Sequence, residues 1–278
     1  MLDGLLLAKI VVTGSVVIGL SILAERAGPR IAGVLAGLPL GTAILYFFIG
    51  LEQGPGFVVA AAGHTLGGLI ATLALCYAYW RASRHDTDPA RRFRGLARAC
   101  LAALPAFGLT AGLLSLLELG FAAAAGLTLV AIAAAMAAMH AIPEQAMTRR
   151  VRLTPIMLLV RAGTAVAVVL AVTGTADLIG PHWAGLLSGF PLTFFPLLLV
   201  IHASYSAQHA HGLLRNFPFG LGSVTAYIVC AHFAFGSLGV VAGSAVSMAA
   251  GLAYLLAYWL VSRALRPRRG AQRKRMHV

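Results

Sequence analysis

Apolar residues in this chain do not alternate in the short amphipathic patterns of a soluble fold; they run in long blocks separated by short polar stretches. Nine blocks come close to the ~20 residues needed to cross the hydrocarbon core of a bilayer: 5–24, 31–50, 57–80, 99–117, 121–142, 153–173, 183–203, 216–236 and 239–262. The pattern predicts an all-α polytopic membrane protein with about nine transmembrane helices. Asp88-Pro89 offers an N-cap followed by proline at the first helical position, which predicts an earlier start for the fourth span, and Pro105 predicts a kink within it.

Two of these blocks are interrupted in the same way. Residues 33–42 read Gly-Val-Leu-Ala-Gly-Leu-Pro-Leu-Gly-Thr and residues 185–194 read Gly-Leu-Leu-Ser-Gly-Phe-Pro-Leu-Thr-Phe, so one Gly-x-x-x-Gly-x-Pro-Leu core recurs 152 positions apart. Pro39 and Pro191 remove a backbone N–H and clash with the carbonyl four residues earlier, which should free the carbonyls of Leu35 and Leu187. An unpaired carbonyl in hydrocarbon costs several kcal/mol, so such a break persists only where protein, a water-filled cavity or a ligand satisfies it. A matched pair of Gly/Pro-interrupted spans is the sequence pointer to a transporter's binding site.

The 152-residue offset extends beyond this core. It pairs Gly28-Pro29 with Gly180-Pro181, Lys9 with Arg161 and Glu25 with Asp177. Five spans, an odd number, separate the copies, so the second should cross the membrane in the opposite sense. The expected organisation is a first repeat over 1–142, a basic cytoplasmic linker over 143–152, a second, inverted repeat of four spans over 153–262, and a basic cytoplasmic tail over 263–278. Two inverted five-span units in under 300 residues resemble the drug/metabolite transporter superfamily in size and organisation, a likeness of architecture from which no residue is carried over.

Composition agrees with the pattern: 60% of the residues are hydrophobic and 10% charged, against roughly 45–50% apolar in soluble domains. The net charge of +13 is not gathered for a polyanion, so no nucleic-acid partner is expected. Its basic residues fall in alternate loops and the tail, and the intervening loops hold Glu52, Glu118 and Asp177 with no Lys or Arg. The positive-inside rule then expects the N-terminus outside and the C-terminus inside. The Gly-x-Pro-Leu repeat resembles segments of bacterial membrane proteins, which sets the expected location in a bacterial cytoplasmic membrane. Cys76, Cys100 and Cys230 have no metal or disulfide spacing and read as packing residues.

Lys9 and Arg161 are the two basic residues within spans, where a charge costs at least ~2.5 kcal/mol and usually faces a partner or an aqueous cavity. Lys9 lies near enough to a span end to snorkel; Arg161 is the stronger candidate for a ligand. No acidic residue lies mid-span, which leaves a carboxylate or phosphate of a ligand as counter-ion, and Arg161 is expected to face a cavity beside Pro191. Gly37, Pro39, Thr42, Gly189, Pro191 and Thr193 complete the expected site, through hydroxyls and N–H groups at the start of each second half-helix. The competing reading of the glycine stripes is close helix packing. His64, His140, His202 and His232 read as packing histidines or as carriers of a coupling proton.

No catalytic or ATP-binding signature occurs, so an enzyme is not expected, and neither a cofactor nor a metal is indicated. The expected function is a secondary transporter or exporter of a small anionic solute, coupled to a proton or other ion. A flippase for an anionic lipid such as an isoprenoid phosphate, and a non-transporting membrane scaffold or assembly factor, are the alternatives.

Overall fold

A computed structural model describes residues 2–27, 37–143 and 154–264, and all the regular structure among them is helical. In chain order the elements are α1 (Leu2–Ala27), α2 (Leu40–Gln53), α3 (Pro55–Ser83), a 3-10 turn (Pro89–Arg91), α4 (Arg92–Ser115), α5 (Phe121–His140), α6 (Pro155–Ser188), α7 (Phe194–Ser204) and α8 (Ala207–Ala264). Six of them, α1, α3, α4, α5, α6 and α8, are long and apolar enough to cross a membrane. This is the architecture of an α-helical membrane protein.

Span by span, the helices differ from the sequence blocks in instructive places. α6 runs through the sixth block into the seventh, turning at Gly180, whose φ of 69° only glycine adopts freely, with Pro181 starting the next turn. α8 joins the eighth and ninth blocks in the same way at Gly239, with φ of 74°. One glycine reorients each chain without a polar loop. Beyond Pro39 and Pro191 the second and seventh blocks continue as short helices, α2 of 14 residues and α7 of 11. Gly33 and the rest of 28–36 lie outside the described residues, as do most of the expected linker and the tail from 265. At the fourth block, Asp88 Oδ1 accepts the N–H of Ala90, but it opens a 3-10 turn, and α4 proper begins at Arg92 and continues through Pro105.

The central element is α3, which packs against α4, α5, α6 and α8 and is the most buried of the long helices. The bundle follows the logic of hydrocarbon, where close backbone approach replaces the hydrophobic effect as the cohesive force. α4 turns inward a stripe of Gly95, Ala99, Ala103, Phe107 and Ala111, each four residues from the last, and leaves Leu101, Leu109 and Leu113 outward. α5 does the same with Ala124, Thr128 and Ile132 inside and Leu129 and Val130 outside. On a soluble protein so large an apolar exterior would be a liability; in a bilayer it is the lipid-facing surface. The larger side chains gather at the centre, where Tyr46 of α2 meets Tyr227 and Phe235 of α8 and bonds the Thr65 hydroxyl of α3 at 2.7 Å.

Candidate functional site

The two Gly/Pro segments meet. Pro39 and Thr42 from one and Gly189, Pro191 and Thr193 from the other line a single small cavity, with Thr72 of α3 and Phe217 of α8 closing it. Its volume is about 30 Å³, room for about two water molecules. Backbone approaches backbone around it. A Cβ added at Gly189 would lie 2.5 Å from the carbonyl carbon of Gly68 on α3, and one added at Gly220 on α8 would lie 2.5 Å from Cα of Gly37. Gly185 is held equally tightly against the carbonyl of Ala61. The glycine stripes are therefore packing surfaces as well as cavity walls.

The carbonyls released by Pro191 are satisfied within the protein. Thr42 Oγ1 donates to Ser188 O at 3.1 Å, and Thr72 Oγ1 donates to Gly189 O at 2.7 Å. Leu187 O, expected to be free, accepts the N–H of Phe190 at 3.0 Å because the chain tightens into a three-residue turn before the proline. Leu35 lies outside the described residues. Thr42 was expected to offer its hydroxyl to an anion; it is engaged on Ser188 instead. Thr193 lines the cavity without capping α7.

Lys9 and Arg161 lie elsewhere, on the seam between α1 and α6. Going eight residues along α1, from Lys9 to Val17, moves eight residues back along α6, from its hydrogen-bond partner Thr173 to Ala165, which packs in one cluster with Val17. The helices are antiparallel, and four more residues in that register bring Ser21 level with Arg161. The seam face of α1 is Lys9, Thr13, Val17 and Ser21, and that of α6 is Arg161, Ala165, Val169 and Thr173. All eight are buried, at a strict four-residue spacing that keeps them on one helical face.

The cations at the two ends of this seam fare differently. Lys9 Nζ, on a residue 5% exposed, donates to Glu52 Oε1 at 2.6 Å and to Thr173 Oγ1 at 2.7 Å. The expectation that neither cation has an acidic partner fails here. Glu52 sits at the end of α2, and the fold brings that end to α1. Arg161, also 5% exposed, has no hydrogen bond or ion pair among the described residues, and its Nε is enclosed without a partner. Ser21, across the seam, donates its hydroxyl to Val17 O in its own helix. Arg161 is not among the residues lining the cavity at Pro191, where it was expected.

Of the residues singled out in the sequence, Pro39, Thr42, Gly189, Pro191 and Thr193 lie around one cavity with Gly37 beside it, and Lys9 and Arg161 lie apart from it. Sequence reading missed Glu52, Thr72, Thr173 and Ser21. A signal existed for the last two: each cation is followed twelve residues later by a hydroxyl, Ser21 after Lys9 and Thr173 after Arg161. The histidines pack. His202 Nδ1 pairs with the Tyr79 hydroxyl at 2.7 Å, His64 stacks on His182 at 4.1 Å, and His232 stacks on Phe121 at 3.8 Å. His140 is exposed at the end of α5. Among the described residues no cluster of three or more metal-ligating side chains occurs, and the three cysteines are free. Compared with known proteins, the chain matches no family model, no curated protein and no solved structure.

Proposed function

We propose that this chain is a secondary transporter of a small anionic solute, built from two inverted halves that move against each other about the Gly/Pro crossing. The observation that carries the reading is Arg161, a buried guanidinium with no protein partner among the described residues, in a membrane-spanning helix. An unpaired cation in that setting is expensive, and such residues mark ligand and ion pathways.

Support for the two halves comes from contacts that recur at the 152-residue offset. The offset carries the four seam residues of α1, Lys9, Thr13, Val17 and Ser21, onto the four of α6, Arg161, Ala165, Val169 and Thr173. It also carries the close approach of Gly68 to Gly189 onto that of Gly220 to Gly37. Helix ends follow: α1 ends at Ala27 and the first segment of α6 at 179, before Gly180; α3 starts at Pro55 and α8 at Ala207. The antiparallel packing of the related helices α1 and α6 supports an inverted relation between the halves, the arrangement from which alternating access follows.

Transport through the crossing requires the half-helices to part, since about 30 Å³ admits no solute. Glycine-to-glycine contacts suit that motion, having no interlocked side chains to unthread. The chain carries no ATP-binding motif, so a proton or another ion supplies the driving force. The N-terminus is assigned to the outer face and the C-terminus to the cytoplasmic face by the distribution of Arg and Lys.

Purified protein in liposomes tests the proposal. With acetate, lactate, succinate and phosphate offered in turn under an imposed solute or proton gradient, at least one should move faster than in protein-free vesicles. Arg161→Met should bring that rate to the protein-free level. Failure of every anion to move would overturn the proposal.

A further inference from the structure

The seam carries its own indication of what kind of anion Arg161 takes. We infer that the solute is recognised through a single carboxylate, gripped by Arg161 at the end of the seam marked by Ser21. The inference rests on the anion-carrier reading above and narrows it. At the Lys9 end, one cation holds both a carboxylate and a hydroxyl of the antiparallel helix: Nζ donates to Glu52 Oε1 at 2.6 Å and to Thr173 Oγ1 at 2.7 Å. At the other end the 152-residue offset supplies the same two elements, Arg161 for Lys9 and Ser21 for Thr173. Among the described residues the third element is missing: the position equivalent to Glu52 is Ser204, which is neutral. Among those residues, one end of the seam has its carboxylate built in, and the other has the grip alone.

Charge decides between carboxylate and phosphate. Lys9 and Arg161 are the only buried cationic residues among the described ones, and Lys9 is neutralised by Glu52. One guanidinium balances one negative charge. A phosphate dianion at Arg161 would bring an uncompensated charge into a low-dielectric seam, and the monoanion would bring two P–OH donors to a cation that offers only donors; a monocarboxylate, acceptor-only and singly charged, does neither. The planar fork of arginine also donates to both oxygens of a carboxylate at once through two parallel N–H groups, a geometry lysine lacks, so the end that must select a ligand has the more selective cation. The hydroxyl of Ser21 is spent on Val17 O within its own helix, a bond the side chain can exchange for a ligand oxygen by rotation about χ1.

The test uses the full-length protein in detergent at pH 7, with sodium acetate, sodium phosphate and sodium chloride at equal ionic strength, read as the midpoint of thermal unfolding. Acetate should raise the wild-type midpoint by a few degrees over chloride, and phosphate should not. Arg161→Gln should abolish the acetate shift. Arg161→Lys, which keeps the charge, should need about tenfold more acetate for the same shift. Glu52→Ala should gain a second acetate response that exceeds the wild-type shift, as the free ion replaces the deleted carboxylate on Lys9. A larger shift with phosphate than with acetate, lost in Arg161→Gln, would overturn the carboxylate assignment and leave an anion carrier standing. An acetate shift that survives Arg161→Gln would overturn the site. Acetate binding that needs Arg161, with no flux of any anion in liposomes, would sustain this inference and sink the transport reading. No shift with either anion would overturn the carboxylate site, and the flux measurement in liposomes would then decide the transport reading by itself.

Discussion

The two ends of the α1–α6 seam make a natural comparison. Each has a buried cation on one helix, a hydroxyl in register on the other, and small or β-branched residues between. They differ in one respect: Lys9 has the carboxylate of Glu52, and Arg161 has no partner among the described residues. In a soluble protein an unpaired buried arginine would be selected away or drift to the surface. Inside a membrane span the alternatives are a partner, snorkelling or a pathway, and Arg161, 5% exposed with its Nε enclosed, has no partner among the described residues. On the proposal made above, the same local frame serves as a structural tie where the chain supplies the anion and as a receptor where it does not.

The largest effect should come from breaking the tie. Glu52→Ala leaves Lys9 buried with only the Thr173 hydroxyl, and removing one partner of a buried ion pair costs about 3–5 kcal/mol. A lowered unfolding midpoint in detergent is the readout. The double variant Lys9→Met/Glu52→Ala should recover most of the loss, because the charge that needed a partner is gone. If the single variant unfolds no earlier than wild type, Glu52 is not neutralising Lys9, and the contrast between the two ends disappears.

Much of this arrangement can be read in the chain, and the parts that cannot have physical reasons. The crossing of the two Gly/Pro segments is legible because proline and glycine leave a mark at the position where they act, as Pro39, Gly189 and Pro191 do around the cavity. The divisions between spans are legible too, at 174–182 and 237–238, but the tightness of the turns is not: Gly180 and Gly239 turn the chain through positive φ with helix running up to them on both sides. The Lys9–Glu52 pair is illegible locally. Its partners are 43 residues apart on different helices, and Glu52 reads as a charge at a span end until α2 is folded back against α1. The cations' absence from the cavity has the same origin: the sequence gives a residue's depth in the membrane and its helical face, but which neighbour that face meets is a tertiary fact.

A second class of substitution sharpens the comparison by testing where the halves ought to be equal. Gly189→Ala drives a Cβ to 2.5 Å from Gly68, and Gly220→Ala drives one to 2.5 Å from Gly37; in both cases the obstacle is backbone, which cannot rotate away. Each should cost about 1–3 kcal/mol by overpacking, and the two losses should be similar. Gly174→Ala on α6, where a Cβ meets nothing within 4 Å, is the control, and should be neutral or stabilising by up to about 1 kcal/mol through helix propensity. Paired melts of the three variants decide the matter. Unequal losses at Gly189 and Gly220 would mean that the two crossings bear different loads, and the symmetry would hold for the seam alone.

The smallest effect in magnitude is the most telling in sign. Arg161→Met replaces a guanidinium that has no protein partner with an apolar chain of adaptable shape, so it removes a desolvation cost without removing an interaction. The expected change in stability is an increase of about 1 kcal/mol, measured as a raised unfolding midpoint in the absence of added anions. Lys9→Met should do the reverse, because it strands the Glu52 carboxylate, though by less than the loss of Glu52, whose side chain reaches partly toward solvent at 22% exposure. Opposite signs for two substitutions at equivalent positions would establish that one cation holds the fold together and the other is maintained at the expense of stability, as a ligand-binding residue is. A destabilised Arg161→Met, matching Lys9→Met in sign, would instead make Arg161 a structural residue, and the difference between the two ends of the seam would carry no functional meaning.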